Sequence, residues 1–144
     1  MPEALLPRSR RQPLSRSEVM SRIRSRDTRP ERWTKECLRL NEIRYRTHVA
    51  DLPGKPDFAN KTRNFAIFVQ GCFWHSHEGC GLASRPKSNK EYWGPKLKRN
   101  RERDAVNYAA LERLGFRILV VWECETRRDG ASAAKAASDF FCNV

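Results

Sequence analysis

The sequence has no apolar stretch near the roughly 20 residues that a helix needs to cross a membrane. No hydrophobic segment of the kind found in signal peptides follows Met1. We therefore expect a cytoplasmic protein that has no membrane partner and whose cysteines stay reduced. No internal repeat is apparent, and a chain of 144 residues suffices for a single core.

Acidic residues are scarce relative to basic ones. The chain has 17 Asp and Glu residues against 29 Lys and Arg residues, which gives a formal net charge of +12. Such an excess creates a positive field that attracts polyanions, and nucleic acid is the obvious candidate. Charge alone also fits a basic protein that has no such partner.

Composition divides the chain into four parts. Residues 1–16 are rich in Arg, Pro and Ser and are predicted to form a disordered basic arm. The remainder, 17–144, is predicted to be one domain. It would consist of a short helix at 17–27, a core at 28–126 and a C-terminal helix at 127–144.

The core begins with a capping box, Thr28-Arg29-Pro30-Glu31. The helix that it opens should bury Trp33, Cys37 and Leu40, which are spaced at helical intervals.

Apolar runs predict the strands of the core. Segment 44–49 has the pattern of an edge strand, whereas 65–69 and 116–122 are continuous apolar runs of the buried type. A long helix should run from Gly94-Pro95 to Gly115. Its apolar face would carry the inward residues Leu97, Tyr108, Leu111 and Leu114. These elements predict a three-layer α/β domain with a mixed central sheet and helices on both faces.

Residues 71–80, directly after the first buried run, contain two thiols and two imidazoles. Cys72, His77 and Cys80 have the short spacing from which zinc sites are built, and Cys124 after the second run would complete a tetrahedron. His75 then has no structural role, so it is a candidate for catalysis.

Asp57 follows a rigid Pro-Gly-Lys-Pro turn and begins a strand beside the buried one. Two neighbouring strands can present a carboxylate and a backbone carbonyl to one hard cation such as magnesium. A turn aspartate bonded to its own backbone explains the same pattern equally well.

Asp104 is the acid best placed to orient His75, because it lies on the inward face of the long helix. An ion pair with an arginine of its own helix is the alternative. The capping box accounts for Glu31 without catalysis, although its carboxylate could also hold a water molecule.

Phe73 and Trp74 are consecutive large aromatics in a polar loop and cannot both face one core. Some DNA-binding proteins insert such side chains between base steps. Alternatively, one of the rings covers the edge of the sheet. Tyr92 and Trp93 are expected to pack in the core or a loop.

The sequence resembles the Vsr (very short patch repair) endonucleases in four motifs that occur in the same order. The motifs are Leu52-Pro53-Gly54-Lys55-Pro56-Asp57-Phe58, Gly71-Cys72-Phe73-Trp74-His75, Glu102-Arg103-Asp104 and Val121-Trp122-Glu123-Cys124. The likeness extends from about Met20 to Cys124.

The resemblance implies a fold like that of type II restriction enzymes with an added structural zinc site. It implies an enzyme that nicks DNA 5′ to the T of a T:G mismatch, which arises when 5-methylcytosine is deaminated. Double-stranded DNA would be the substrate, mismatch-repair proteins are candidate partners, and a monomer suffices for one nick. The protein would act in the bacterial cytoplasm, in association with the nucleoid.

The resemblance also assigns roles. Asp57 and the backbone carbonyl of Val69 would hold Mg²⁺, His75 would transfer a proton while Asp104 steadies it, and Glu31 would order water. The structural zinc ligands would be Cys72, His77, Cys80 and Cys124. The residues that intercalate beside the mismatch would be Phe73, Trp74 and Met20.

Two residues depart from the family pattern, which commonly has Thr and His where this chain has Val69 and Gln70. A backbone carbonyl survives the first change. The Gln70 amide cannot titrate, but it can hydrogen-bond a water molecule beside the metal. We expect altered metal handling rather than lost activity. A restriction-type nuclease of other specificity, or a catalytically impaired zinc-stabilised DNA-binding module, are the alternatives.

Overall fold

The computed structural model describes residues 27–83, 87–128 and 130–142. The predicted arm at 1–16, most of the predicted helix at 17–27, and Met20 lie outside these residues. The elements in chain order are α1 (Arg29–Leu40), β1 (Arg46–Thr47), β2 (Phe58–Asn60), β3 (Phe65–Gln70), a 3-10 turn (Gly81–Ala83), α2 (Lys90–Arg113), β4 (Arg117–Trp122), α3 (Glu123–Arg128) and α4 (Gly130–Cys142).

The four strands form one mixed sheet in the order β1-β2-β3-β4. β1–β2 and β2–β3 are antiparallel, and β3–β4 is parallel. The predicted edge strand and both buried strands are present, although the edge strand is shorter than 44–49.

Side chains alternate between the two faces of the sheet, as the period of a strand requires. Phe65 and Ile67 of β3 pack with Leu38 of α1 and with residues of α4. Ala66 and Phe68 pack on the opposite face, where α2 contributes Leu111. The prediction of a mixed sheet with helices on both faces is therefore confirmed.

The buried face of α1 differs only in part from the predicted one, because Trp33 is partly buried and packs against the core. Its buried residues are Glu31, Thr34 and Leu38, whereas Leu40 is 66% exposed. The apolar pattern missed Thr34 because a hydroxyl counts as polar in a sequence. Here that hydroxyl donates to the Pro30 carbonyl (2.9 Å) and is satisfied within the helix.

α2 begins earlier than the Gly94-Pro95 pair predicted, at Lys90. The carbonyl of Asn89 accepts hydrogen bonds from the backbone N–H groups of Tyr92 and Trp93, both at 3.0 Å. The first turn is therefore closed before Pro95, which lies inside the helix and has no backbone N–H to donate there.

The far end of α2 differs from the prediction in one residue. Leu114, predicted on the inward face, is 59% exposed because it caps the helix and lies past its last turn. Leu97 and Leu111 are buried as predicted.

Parallel pairing places the ends of β3 and β4 at one edge of the sheet, where Gln70 lies opposite Trp122. After β3 the chain continues from this edge to Cys72. After β4 it enters α3, which contains Cys124. Cys124 thus lies in a short helix rather than at the end of a strand. Within the described ranges, no helix is long and apolar enough to cross a membrane.

Candidate active site and metal cluster

Cys72, His77, Cys80 and Cys124 converge at this edge of the sheet. Their potential ligand atoms all lie within 4.8 Å of one another. The His77 backbone N–H donates to the Cys72 carbonyl (3.0 Å), which folds the loop back on itself. The four residues that the sequence grouped by spacing are therefore brought together by the fold.

The surroundings of this cluster fix its donor atoms. The His77 ring stacks on Trp122 with centroids 4.0 Å apart and planes 7° apart. The Cys124 backbone N–H donates to the Cys72 sulfur (3.4 Å). Burial raises the pKa of the Cys72 thiol to about 12, so that thiol keeps its proton unless a cation displaces it. The cluster could hold a metal ion, and three sulfurs with one imidazole are the donor set that suits zinc.

Asp57 lies just before β2 and reaches across to β3. One of its carboxylate oxygens accepts a hydrogen bond from the Val69 backbone N–H (2.7 Å). Its backbone carbonyl accepts from the His48 N–H (3.0 Å). These hydrogen bonds fix Asp57 beside β3, on the side towards which the backbone groups of Val69 point.

Electrostatics connect Asp57 with α1. Burial raises the pKa of the Asp57 carboxyl, and the negative charge of Glu31 adds to this, while the Val69 hydrogen bond opposes it. Glu31 is 5% exposed and accepts from the Asp27 backbone N–H (2.9 Å). The charge of Glu31 thus acts on the Asp57 carboxyl in a partly buried place, an arrangement that a hard divalent cation would relieve.

His75 and Asp104 meet as predicted. The Nδ1 atom of His75 lies 2.5 Å from a carboxylate oxygen of Asp104, and the two side chains are 26% and 19% exposed. The loop after β3 supplies the imidazole, and the inward face of α2 supplies the acid. Because Nδ1 is engaged with the carboxylate, Nε2 is the ring atom left for proton transfer.

These side chains surround a cleft of about 470 Å³. Its lining consists of Gly54, Lys55, Asp57, Phe68, Gln70, His75, Arg103, Asp104, Asn107 and Tyr108. A second cavity of about 360 Å³ opens towards the cluster of Cys and His side chains and is lined by His77 and Trp122 among others. The residues that line both spaces are Gln70, His75, Asp104 and Tyr108.

Sequence reasoning missed a role for Tyr108 in this site. It was expected only to pack, yet its hydroxyl accepts a hydrogen bond from the side-chain amide of Gln70. Burial, together with the charges of Asp104 and Asp57, raises the pKa of the Tyr108 hydroxyl above its usual range. The available signal was a hydroxyl one helical turn after Asp104 on the inward face.

Phe73 and Trp74 belong to an aromatic group beside the cleft. Their rings meet edge to face at 5.2 Å, and each also contacts Trp93, at 5.4 and 5.8 Å. Trp93 is buried as expected, whereas Tyr92 is 57% exposed and does not belong to the core. The Lys96 ammonium lies 5.6 Å from the Trp74 ring centroid. Phe73 and Trp74 are half-buried, so neither side chain is fully enclosed in the core.

Comparison with known proteins places this site in context. Residues 10–81 match the family model described as DNA mismatch endonuclease Vsr. The Type II nicking enzyme V.XorIIP of Xanthomonas oryzae is 44% identical over 123 residues, which cover 85% of this chain and 90% of that protein.

Two further relatives are similar over most of their length. The DNA mismatch endonuclease Vsr of Escherichia coli is 40% identical over 113 residues, 78% of this chain and 72% of that protein. The Type II nicking enzyme V.NmeAIP of Neisseria meningitidis is 40% identical over 112 residues, covering 78% of this chain and 79% of the relative.

Proposed function

The chain belongs to the DNA mismatch endonuclease Vsr family, and on that basis we propose that it nicks duplex DNA 5′ to the T of a T:G mismatch. Family membership makes the chain a DNA endonuclease, and the mismatch and the cut position are the proposal. The observation that supports it best is the meeting of Asp57, His75 and Asp104 around one cleft.

Mg²⁺ is the proposed cofactor of this cleft. The Asp57 carboxylate and the Val69 carbonyl would hold it. The backbone N–H of Val69 donates to Asp57. Because the N–H and C=O of one strand residue point to the same side, the Val69 carbonyl faces that side as well. When bound, such an ion stabilises charge on the scissile phosphate and makes water a better nucleophile. Glu31 would hold water nearby, and Gln70 would accept a hydrogen bond from that water.

His75 is the proposed proton carrier. Its Nε2 would take a proton from the attacking water or give one to the leaving 3′ oxygen. The contact with Asp104 keeps the ring in one orientation and leaves Nε2 free for the transfer. Asp104 therefore acts through His75 rather than on the DNA.

Zinc is the proposed ion of the Cys and His cluster, and it would have a structural role only. The bound ion would pin the loop that carries Phe73 and Trp74, in addition to the contacts of these rings with Trp93. These two rings, together with Met20, would enter the duplex at the mismatch, where unstacking costs less.

The remaining parts of the proposal concern architecture and setting. The four-stranded sheet fits a restriction-endonuclease-like domain at 17–144, with the basic arm at 1–16 adding affinity for DNA. The protein would act as a monomer in the bacterial cytoplasm, where mismatch-repair proteins are candidate partners.

The direct test is a nicking assay on a labelled duplex that contains one T:G mismatch in a methylation-site context. We expect cleavage of the T strand alone in Mg²⁺, no cleavage in EDTA, and none of a matched T:A duplex. Equal cleavage of both duplexes would indicate a restriction-type nuclease. Binding without cleavage of either would indicate a DNA-binding module.

Trp74→Ala should reduce the preference for the mismatched over the matched duplex by roughly tenfold, because one aromatic contributes about 1–3 kcal/mol when a base stacks on it. Affinities for the two duplexes would be measured in parallel at one salt concentration. Trp74→Phe is the control, since it keeps an aromatic face and should keep most of the preference. Equal losses on both duplexes would contradict insertion at the mismatch.

A further inference from the structure

Gln70 and Tyr108 form part of the wall between the two cavities. Gln70 is the last residue of β3 and is 4% exposed. Its side-chain nitrogen donates to the hydroxyl of Tyr108, which lies on α2. Both residues line the cleft that contains Asp57, and both also line the cavity on the side of the metal cluster.

We propose that Tyr108 is a positioning residue of the active site, whose hydroxyl holds the Gln70 amide with its oxygen available to the Asp57 cleft. This inference rests on the proposed function of that cleft and assigns a further residue to it.

The hydrogen bond to Tyr108 decides which polar atom of Gln70 is left for the cleft. A glutamine amide has a nitrogen that donates and an oxygen that accepts. The Gln70 nitrogen is engaged by Tyr108, so the oxygen is the atom left for other partners. An acceptor suits a cleft that binds a cation and its water molecules, because an NH₂ group pointing there would repel the cation.

Tyr108 is itself held in place by two residues of β3. Its ring meets Phe68 edge to face, with centroids 5.0 Å apart and planes at 62°. Phe68 and Gln70 are two residues apart on β3, so their side chains share one face of the sheet. Tyr108 therefore packs against one of these residues and hydrogen-bonds the other, which fixes its hydroxyl relative to the strand.

Helix α2 carries both Asp104 and Tyr108, the residues that hold His75 and Gln70. Asp104 lies one turn before Tyr108 on α2, so the two side chains share a face. Asp104 contacts His75, and Tyr108 contacts Gln70. One helix face thus orients two cleft residues that come from β3 and the loop after it.

The test is a double-mutant cycle built from Tyr108→Phe and Gln70→Met. Phenylalanine removes the hydroxyl but keeps the ring against Phe68, and methionine keeps the length of Gln70 without its polar atoms. Tyr45→Phe is the matched control, because Tyr45 packs edge to face on Phe58 on the opposite face of the sheet. Gln70→Leu replaces Gln70→Met if the melting temperature shows that the latter is misfolded.

Two quantities would be measured for each variant. The first is kcat and KM on the T:G duplex. The second is Mn²⁺ affinity, measured by electron paramagnetic resonance with a duplex whose scissile linkage is not hydrolysable. Mn²⁺ shares the preference of Mg²⁺ for oxygen ligands and is visible to this method.

Tyr108→Phe should lower kcat and Mn²⁺ affinity by roughly three- to tenfold each, as expected for one neutral hydrogen bond, with little change in KM. In the Gln70→Met background it should change either quantity by less than about twofold. A loss of the same size in both backgrounds, or no loss in the parent, would overturn the proposal. If the parent protein does not nick T:G duplexes, the proposed function is wrong. The double-mutant cycle in Mn²⁺ affinity would still decide the role of Tyr108.

Discussion

Asp57→Asn should lower the rate of nicking on a T:G duplex by about 10³-fold, while the protein still binds the duplex. The substitution keeps the shape of the side chain and removes the charge that would hold the cation. Loss of several kcal/mol of metal-supplied stabilisation corresponds to a change of this size. Single-turnover nicking rates and duplex affinity would be measured on the same preparation.

Asp51→Asn is the matched control for this experiment. Asp51 is exposed and forms an ion pair with Lys61. It does not line the cleft, so its substitution should leave nicking unchanged. A rate for Asp57→Asn within tenfold of the parent would remove Asp57 from the catalytic set. Loss of duplex binding as well would point to a folding defect.

The second large effect is expected from Cys124→Ser. One soft ligand would be lost from a closed four-ligand site, and structural zinc sites contribute about 10–16 kcal/mol of apparent binding free energy to folding. We expect the variant to lose the folded state. Zinc content by elemental analysis and thermal unfolding followed by circular dichroism would show this.

Cys142→Ser provides the control for Cys124→Ser. Cys142 is exposed at the end of α4 and lies outside the cluster, so its substitution should alter neither zinc content nor the melting curve. A Cys124→Ser protein with one zinc ion per chain and an unchanged melting curve would contradict the assignment of Cys124.

The sequence predicted the parts of this site that depend on local spacing and strong patterns. Three of the four cluster residues lie within ten positions, and the fourth follows a buried strand that pairs in parallel with the first. Two apolar runs that pair in parallel must end at the same edge, so their following residues meet. Asp104 could be placed because the inward face of α2 follows from helical periodicity.

Other features depend on local hydrogen bonds, backbone conformations and tertiary contacts that periodicity does not encode. Thr34 is buried although its side chain is polar, since its hydroxyl is satisfied within its own helix, and Leu40 is exposed at the end of that helix. The first turn of α2 depends on the backbone of Asn89, which has a left-handed conformation (φ 53°). The contact of Tyr108 with Gln70 joins residues 38 positions apart, and it exists only once α2 packs against the sheet.

The pairing of Cys72 with Cys124 has a topological consequence. These residues are 52 positions apart, and the whole of α2 lies between them. A metal ion at the cluster would act as a cross-link that closes this segment into a ring. Forming such a ring costs chain entropy, which the free energy of metal binding in the folded state would offset. The ion would thereby favour the arrangement in which the helix face that orients His75 and Gln70 lies against β3.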